Sequence, residues 1–413
     1  MKEKVDKRVM WAFPWNYKEG LAISLGLFLA GLMLEVATAG SSFNAAVYPL
    51  NVMLGLGLLG FYTFVYIFFK NSRIVKWLCG VPAAICSISL VTFNVLIMGL
   101  IAQNDPNASG IIKVFGLSEM TTSWMFILAV IFFQTTLGFV TLKRAFDGIL
   151  KNGGFVLNHL GLWIVIWAAI LGSGDLQRLT MDLYEGQTVW EAKDEHGHKI
   201  PMDVAFKLEE FNMEEYNPKL VVIESEDAKI VEDISNNMQM LEEGKSLKMG
   251  EFEVYVEQFL PMAGRVEERY ERVNEIGSAP AAFVKTTFGG EAIDGWVTCG
   301  SFMKQGQFLK LDNKYSLAMS VPEPKKYTSI CQLYTKSGQN EQITIEVNKP
   351  VSAGDWKVYQ LSYDDRYGKW SQLSVIELVL DPWLPVVYTG VFMMLLGGVY
   401  IFWVGSRIGS EKK

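Results

Sequence analysis

The chain has 413 residues, half of them hydrophobic, with a mean hydropathy of +0.20 and a formal net charge of −7. That hydropathy is high for a water-soluble enzyme, and the length leaves room for a membrane part and one or two soluble units. Four cysteines, none in a Cys-x-x-Cys pair, are too few for a disulfide scaffold and argue against a thioredoxin-type redox site or a zinc ribbon.

The net charge hides two opposite populations. Between Asp175 and Asp381 there are 36 acidic and 22 basic residues, a balance of −14; the rest of the chain has 8 acids against 15 bases, a balance of +7. So acidic a segment argues against nucleic acid as a partner. The first residues, MKEKVDKR, carry enough charge for a signal-peptide n-region. The apolar run from near Leu21 is nevertheless long enough to span a bilayer and has no tidy cleavage site, so no cleavable signal peptide is expected.

In chain order, a basic N-terminus (Lys2, Lys4, Lys7, Arg8, Lys18) precedes a first apolar crossing from about Leu21 to Ala39, with Glu35 as its one ionisable residue. A mid-membrane carboxylate costs roughly 2.5–3.5 kcal/mol on insertion scales, so Glu35 reads either as a hydrated group near the outer interface or as a proton or cation partner inside the bundle. A second crossing, about Tyr48 to Phe69, ends in Lys70, Arg73 and Lys76. The third, about Trp77 to Ile101, contains Cys79 and Cys86 seven residues apart on one helix face, as packing elements, with Pro82 expected to bend its first turns. After a polar loop, Gln103 to Ser123, the fourth crossing runs from about Trp124 to Leu142 and is followed by Lys143, Arg144 and Lys151. The fifth is Phe155 to Ser173, FVLNHLGLWIVIWAAILGS, and the sixth runs from about Val386 to Val404 with Arg407, Lys412 and Lys413 behind it.

The N-terminus, the 2–3 loop, the 4–5 loop and the C-terminus together hold 14 Lys and Arg, whereas the 1–2 and 3–4 loops hold only Lys113. By the positive-inside rule both termini are cytoplasmic, and the fifth crossing runs outward. The expected architecture is a membrane protein with six transmembrane α-helices and a large extracytoplasmic all-β domain inserted between helices 5 and 6. Residues 1–173 form the bundle, 174–382 the outer domain, and 383–413 the last helix and cytoplasmic tail.

The outer segment reads as β because runs rich in Val, Ile, Phe and Tyr alternate with polar residues between turn clusters. The runs are Asp203 to Phe211, Lys219 to Ile223, Glu251 to Phe259, Ala282 to Thr287, Gln342 to Val347 and Trp356 to Tyr363. A sandwich, or a pair of small sandwiches, is the expected layout. Gly250-Glu-Phe-Glu-Val254-Tyr255 and Gly354-Asp-Trp-Lys-Val358-Tyr359 share a local pattern, while Met238 to Glu243 and Glu267 to Glu275 read as short helices or loops. Cys299 and Cys331 are the cysteines of this segment, and a disulfide between them is an open alternative.

The only histidines are His159, His196 and His198. His159, four residues into the fifth crossing, is the one group in a spanning core suited to a metal. His159, Trp163 and Trp167 share a helix face, and Gly154, Asn158, Gly161, Val165, Ala168 and Gly172 form a second face of mostly small residues that lets another helix approach. Two readings stand side by side: a histidine hydrogen-bonded to a neighbouring helix, with the tryptophans as core, or an axial ligand to a haem iron with the tryptophans packed on the macrocycle. His196 and His198 lie beyond the outer end of that helix, roughly 22 Å from His159, so a second ligand for the same iron has to come from another polypeptide or from a symmetry mate. His196-Gly-His198 itself reads as a solvated turn, with a metal site as the sharper alternative. No Walker sequence, Gly-x-Ser-x-Gly, His-Glu-x-x-His or Cys-x-x-Cys-His occurs.

Four stretches, in this order and topology, resemble the ResB/CcsB family, the haem-handling membrane component of System II cytochrome c maturation. They are Ser123-Trp124-Met-Phe126 through Lys143-Arg144; Asn158-His159-Leu160-Gly161-Leu162 with Gly172 and Glu185-Gly186-Gln187; Gly354-Asp-Trp-Lys-Val-Tyr-Gln360; and Asp381-Pro382 through Val386-Val387-Tyr388-Thr-Gly390 and Leu396-Gly397-Gly398. They cover about residues 120 to 190 and 350 to 404. The resemblance implies that His159 is the transmembrane haem ligand, with Asn158, Trp163 and Trp167 around a non-covalently and transiently held haem b. It implies a CcsA/ResC-type membrane partner that supplies further histidines, apocytochrome c as the acceptor, and a bacterial cytoplasmic membrane. This chain has no Trp-Trp-Asp segment and should be an incomplete synthase alone. It departs from the family's usual pattern in its second and third helices, which look like an added pair, and in Trp383, where the family often has Gly. The competing reading is a non-enzymatic membrane assembly or sensor protein whose outer β domain binds a protein. A solute transporter is the weaker third, since no repeat is evident.

Overall fold

The computed structural model describes residues 9–38, 46–288 and 290–410. The basic residues Lys2, Lys4, Lys7, Arg8, Lys412 and Lys413, and the expected end of the first crossing at Ala39, lie outside them. Among the described residues there are eight α-helices: α1 (Tyr17–Ala37), α2 (Leu50–Phe69), the short α3 (Arg73–Leu78), α4 (Val81–Leu100), the short α5 (Gly110–Val114), α6 (Trp124–Phe146), α7 (Ile149–Gly172) and α8 (Leu384–Ser410). The six long ones are long and apolar enough to cross a membrane, which makes the chain compatible with a multi-pass membrane protein.

Several boundaries move for local reasons. The first helix starts a turn earlier than expected because Asn16 and Glu19 form a capping box; Asn16 N–H donates to Glu19 Oε2 at 2.8 Å. The expected third crossing is broken. Ser72 caps α3, the chain leaves the helix at Cys79 and Gly80, and Pro82 sits in the first turn of α4, where its missing N–H costs nothing. Pro82 therefore starts a helix instead of bending one, and Cys79 and Cys86 do not share a helix face. Each still packs: the Cys79 thiol lies 3.5 Å from Phe139 O, and Cys86 backs onto Gly20, where an added Cβ would meet Sγ at 2.5 Å.

Glu35, in the last turn of α1, is 2 % exposed, so it is not the hydrated group expected. Its Oε2 accepts from the backbone N–H of Trp124 at 2.9 Å, placing a carboxylate on the N-terminus of α6 beside the Ser123 cap. This carboxylate ties α1 to α6.

The seventh helix begins at Ile149, six residues before the predicted start, with a kink at Asn152, whose amide donates to Arg144 O and Gly148 O at 3.1 Å each. The face of small residues does what its composition predicts. A Cβ on Gly161 would lie 2.5 Å from Gly390 O, and one on Gly397 would lie 2.5 Å from Asn158 N. α7 and α8 thus meet backbone to backbone through glycines contributed by both. Just past α7, Asp175 gathers the ends of three helices. It accepts from Tyr48 N–H (2.8 Å), Asn51 Nδ2 (2.7 Å) and Trp383 Nε1 (2.7 Å), and Asn51 Nδ2 also donates to Leu171 O.

Among the described residues, seventeen strands follow α7. The first three are β1 (Gln177–Tyr184), β2 (Thr188–Lys193) and β3 (Lys199–Glu215). Nine more follow: β4 (Lys219–Glu224), β5 (Met238–Met240), β6 (Ser246–Met249), β7 (Phe252–Val266), β8 (Arg269–Arg272), β9 (Ala279–Phe288), β10 (Glu291–Thr298), β11 (Leu309–Lys310) and β12 (Tyr315–Met319). The last five are β13 (Pro324–Thr335), β14 (Asn340–Glu346), β15 (Val351–Ala353), β16 (Trp356–Tyr363) and β17 (Leu373–Leu380). Residues 177–380 form one compact unit, and 1–176 with 381–413 another.

The strand unit contains two modules, one inserted in the other. The first and last groups make an eight-stranded antiparallel sheet in the order β14-β13-β3-β2-β1-β17-β16-β15. Alternate residues, including Met181, Leu183, Phe206, Leu208, Leu333 and Ile376, fill one core. Ile345 of β14 and Ala353 of β15 enter that same core from the sheet's two edges, so the sheet curls on itself. Register shifts in β2–β3, β3–β13 and β16–β17 supply the bends. Only the inserted module is a sandwich: the β10-β9-β7-β6 sheet, with β8 on β7, shares a core with β11-β12-β4-β5 through Val222, Val254, Val284, Val297 and Leu317. The six predicted runs are all strands, but Met238–Met240 and Arg269–Arg272, read as helix or loop, are strands as well. Gly250 and Gly354 each open a tight hairpin at φ +59° and +60°, one in each module.

Candidate functional site

His159 sits ten residues into α7, about 15 Å along the axis and deeper than the predicted 6 Å, because the helix starts earlier. Its Nδ1 lies 3.0 Å from the carbonyl of Phe155. A carbonyl can only accept, so Nδ1 carries the proton. In the neutral ring Nε2 then keeps its lone pair, and among the described residues it has no hydrogen-bond partner. The ring stacks on Phe155 with centroids 3.7 Å apart, and the Arg144 guanidinium lies over the other ring at 5.3 Å. Phe155, His159, Ile166 and Ile170 form a half-buried, largely apolar stripe along α7. The arrangement is an oriented nitrogen base on a partly covered helix face.

The other predicted site residues are placed differently. Trp163 and Trp167 are 7 % and 9 % exposed and form an edge-to-face pair at 5.9 Å, packed with Tyr62, Leu137, Phe139 and Leu171. They build the core shared by α2, α6 and α7, so the expected row of indoles open to a macrocycle is not formed in this chain. Asn158 donates from Nδ2 to Met394 O at 2.9 Å and fastens α7 to α8. Of the four residues, His159 alone offers a ring nitrogen with a free lone pair, the atom type that ligates haem iron.

In the strand unit, Cys299 and Cys331 are both free thiols, and the open alternative of a disulfide is closed by topology. Cys331 is buried in the eight-stranded sheet, whereas Cys299 packs against the sandwich core. Desolvation pushes the Cys331 thiol up to about 12 and the Cys299 thiol up to about 11, so neither is a ready nucleophile.

Cys299 borders a cavity of about 320 Å³ between the two modules, lined also by Phe302, Arg366, Tyr367 and Trp370. Phe302 and Tyr367 meet edge to face at 4.8 Å, Trp370 Nε1 donates to Ser278 O at 3.3 Å, and Lys369 pairs with Glu215 at 2.9 Å. This cleft was not legible in the sequence, since its walls come from separate loops. His196 and His198 lie in the β2–β3 turn with Asp194.

Comparison of the sequence with protein-family models and with curated proteins finds no match.

Proposed function

We propose that this chain is the haem-handling subunit of a membrane-bound cytochrome c synthase of the ResB/CcsB kind, and that it works with a CcsA/ResC-type partner to carry haem outward and attach it to apocytochrome c. The observation that carries the reading is the free Nε2 of His159, held in one tautomer by Phe155 O on a half-buried apolar stripe. Haem iron takes histidine as an axial ligand, and a hydrogen bond from the other ring nitrogen orients such a ligand and raises its basicity. The residues present therefore fit the cargo at one face. With Trp163 and Trp167 buried and Asn158 tied to α8, the second face and second axial ligand fall to the partner, docked on the stripe.

In this reading both termini are cytoplasmic, the chain lies in a bacterial cytoplasmic membrane, and residues 174–382 lie outside the cytoplasm between the fifth and sixth crossings. The loop charges support that orientation. The aromatic cleft between the two β modules is the feature that favours the alternative, an assembly or sensor protein whose outer domain grips another protein.

The two separate cleanly in cells whose c-type cytochromes depend on this chain. His159→Ala is expected to abolish covalent haem attachment, read by haem staining of denaturing gels, with the variant still in the membrane at normal abundance. Undiminished holocytochrome in that variant would overturn the haem role and leave the protein-binding one.

A further inference from the structure

We infer that the turn between β2 and β3 is a binding site for one divalent first-row transition-metal ion, held by His196 and His198 with the Asp194 carboxylate. The turn is built so that both rings project from one side. Asp194 Oδ1 accepts the backbone N–H of His196 at 2.9 Å and of His198 at 2.8 Å, and Asp194 N–H donates to His198 O at 3.1 Å. Gly197 between them has φ +82°, a left-handed conformation that a residue with a Cβ rarely adopts. The hairpin is closed below by the pairing of Lys193 with Lys199.

The consequence is convergence. The two imidazoles are inclined at 24° with centroids 5.9 Å apart, and one ligand atom from each of Asp194, His196 and His198 falls within 4.8 Å of the others; in the metal-free turn Asp194 Oδ2 and His198 Nδ1 share a 3.0 Å hydrogen bond, which an ion would replace. Two imidazole nitrogens and one carboxylate oxygen suit Cu²⁺, Ni²⁺ or Zn²⁺ and do not suit Ca²⁺ or Mg²⁺, which take oxygen ligands. Nearby cations are already neutralised. Lys199 pairs with Glu191 at 2.9 Å and Lys193 with Asp182 at 2.5 Å, while Glu195 brings a further carboxylate to 3.8 Å from His196 Nδ1. Three ligands leave coordination positions for water or an exogenous ligand. Copper(II) should bind most tightly, as it stands highest in the divalent affinity order. The inference is independent of His159.

The test is titration of the full-length protein in detergent with Cu²⁺ alone, followed by equilibrium competition against a chelator and by paramagnetic resonance. The wild type is expected to take up one equivalent with nitrogen hyperfine structure. His196→Ala and His198→Ala should each weaken uptake at least tenfold. Both rings are exposed, at 69 % and 76 %, so these variants should keep the wild-type unfolding temperature. Failure of the wild type to bind one equivalent, or undiminished binding by the double variant His196→Ala/His198→Ala, would overturn the site.

Discussion

Replacing Gly161 by leucine is expected to separate α7 from α8 and to destabilise the bundle by about 3 kcal/mol, at the upper end of overpacking costs. The first added carbon alone would stand 2.5 Å from Gly390 O and 2.8 Å from Met394 N. Those are backbone atoms of a helix, which no rotamer change can move aside. Sliding α8 away opens the reciprocal close approaches at Gly390 and Gly397, where an added Cβ would lie 2.7 Å from Gly161 O and from Gly154 O respectively, and it breaks the Asn158–Met394 hydrogen bond. Without a hydrophobic drive between helices in lipid, such close approach is what holds the pair. Thermal unfolding in detergent should show the loss for Gly161→Leu. Gly57→Ala on α2, where an added Cβ meets nothing within 4 Å, should be neutral or stabilising by up to about 1 kcal/mol. A Gly161→Leu protein that unfolds at the wild-type temperature would refute this account of the pair.

The second large effect is expected at Asp175, where one carboxylate serves three helix ends. Desolvation acts to raise its pKa, but the hydrogen bonds from Tyr48 N–H, Trp383 Nε1 and Asn51 outweigh it and hold the carboxyl below its ordinary value of 3.8. A carboxyl with a lowered native pKa stabilises the fold above its unfolded value, so its contribution is fully present near neutral pH. It is lost as the pH falls below 3.8 through the lowered native value. Asp175→Ala leaves its three donors without their acceptor and should cost about 1–2 kcal/mol near pH 7 once solvent screening is allowed for. The wild-type advantage over Asp175→Ala should shrink in unfolding measurements carried down to pH 3. An advantage of unchanged size at pH 7 and pH 3 would remove the charge from the explanation.

What could be read from the residues and what could not divides along one physical line. Periodicity reports burial, so the six apolar helices and the alternating strands of the second unit were legible, as was the small-residue face of α7 that receives Gly390 and Gly397. The start of α1 is encoded locally by Asn16 and Glu19, and the helix boundary after α3 by Ser72, Gly80 and Pro82. Partners distant in sequence were not legible. Glu35 looks like an isolated charge until Trp124 N–H is beside it, and Asp175 looks like a loop acid until Tyr48, Asn51 and Trp383 converge on it. Helical spacing put Trp163 and Trp167 on the face of His159, but spacing cannot say that α2 and α6 already cover them. The curled eight-stranded sheet was missed because its closure depends on β14 and β15 meeting in one core, which alternation within a strand does not encode.

The central claim is that Nε2 of His159 binds haem iron. The most direct measurement is the visible absorbance spectrum of the chain purified together with its membrane partner, for the wild type and for His159→Ala. A Soret band is expected in the wild-type complex, strongly reduced in the variant and regained when imidazole is added to His159→Gly. A variant complex that keeps the full wild-type band, or a wild-type complex that carries none, would contradict it.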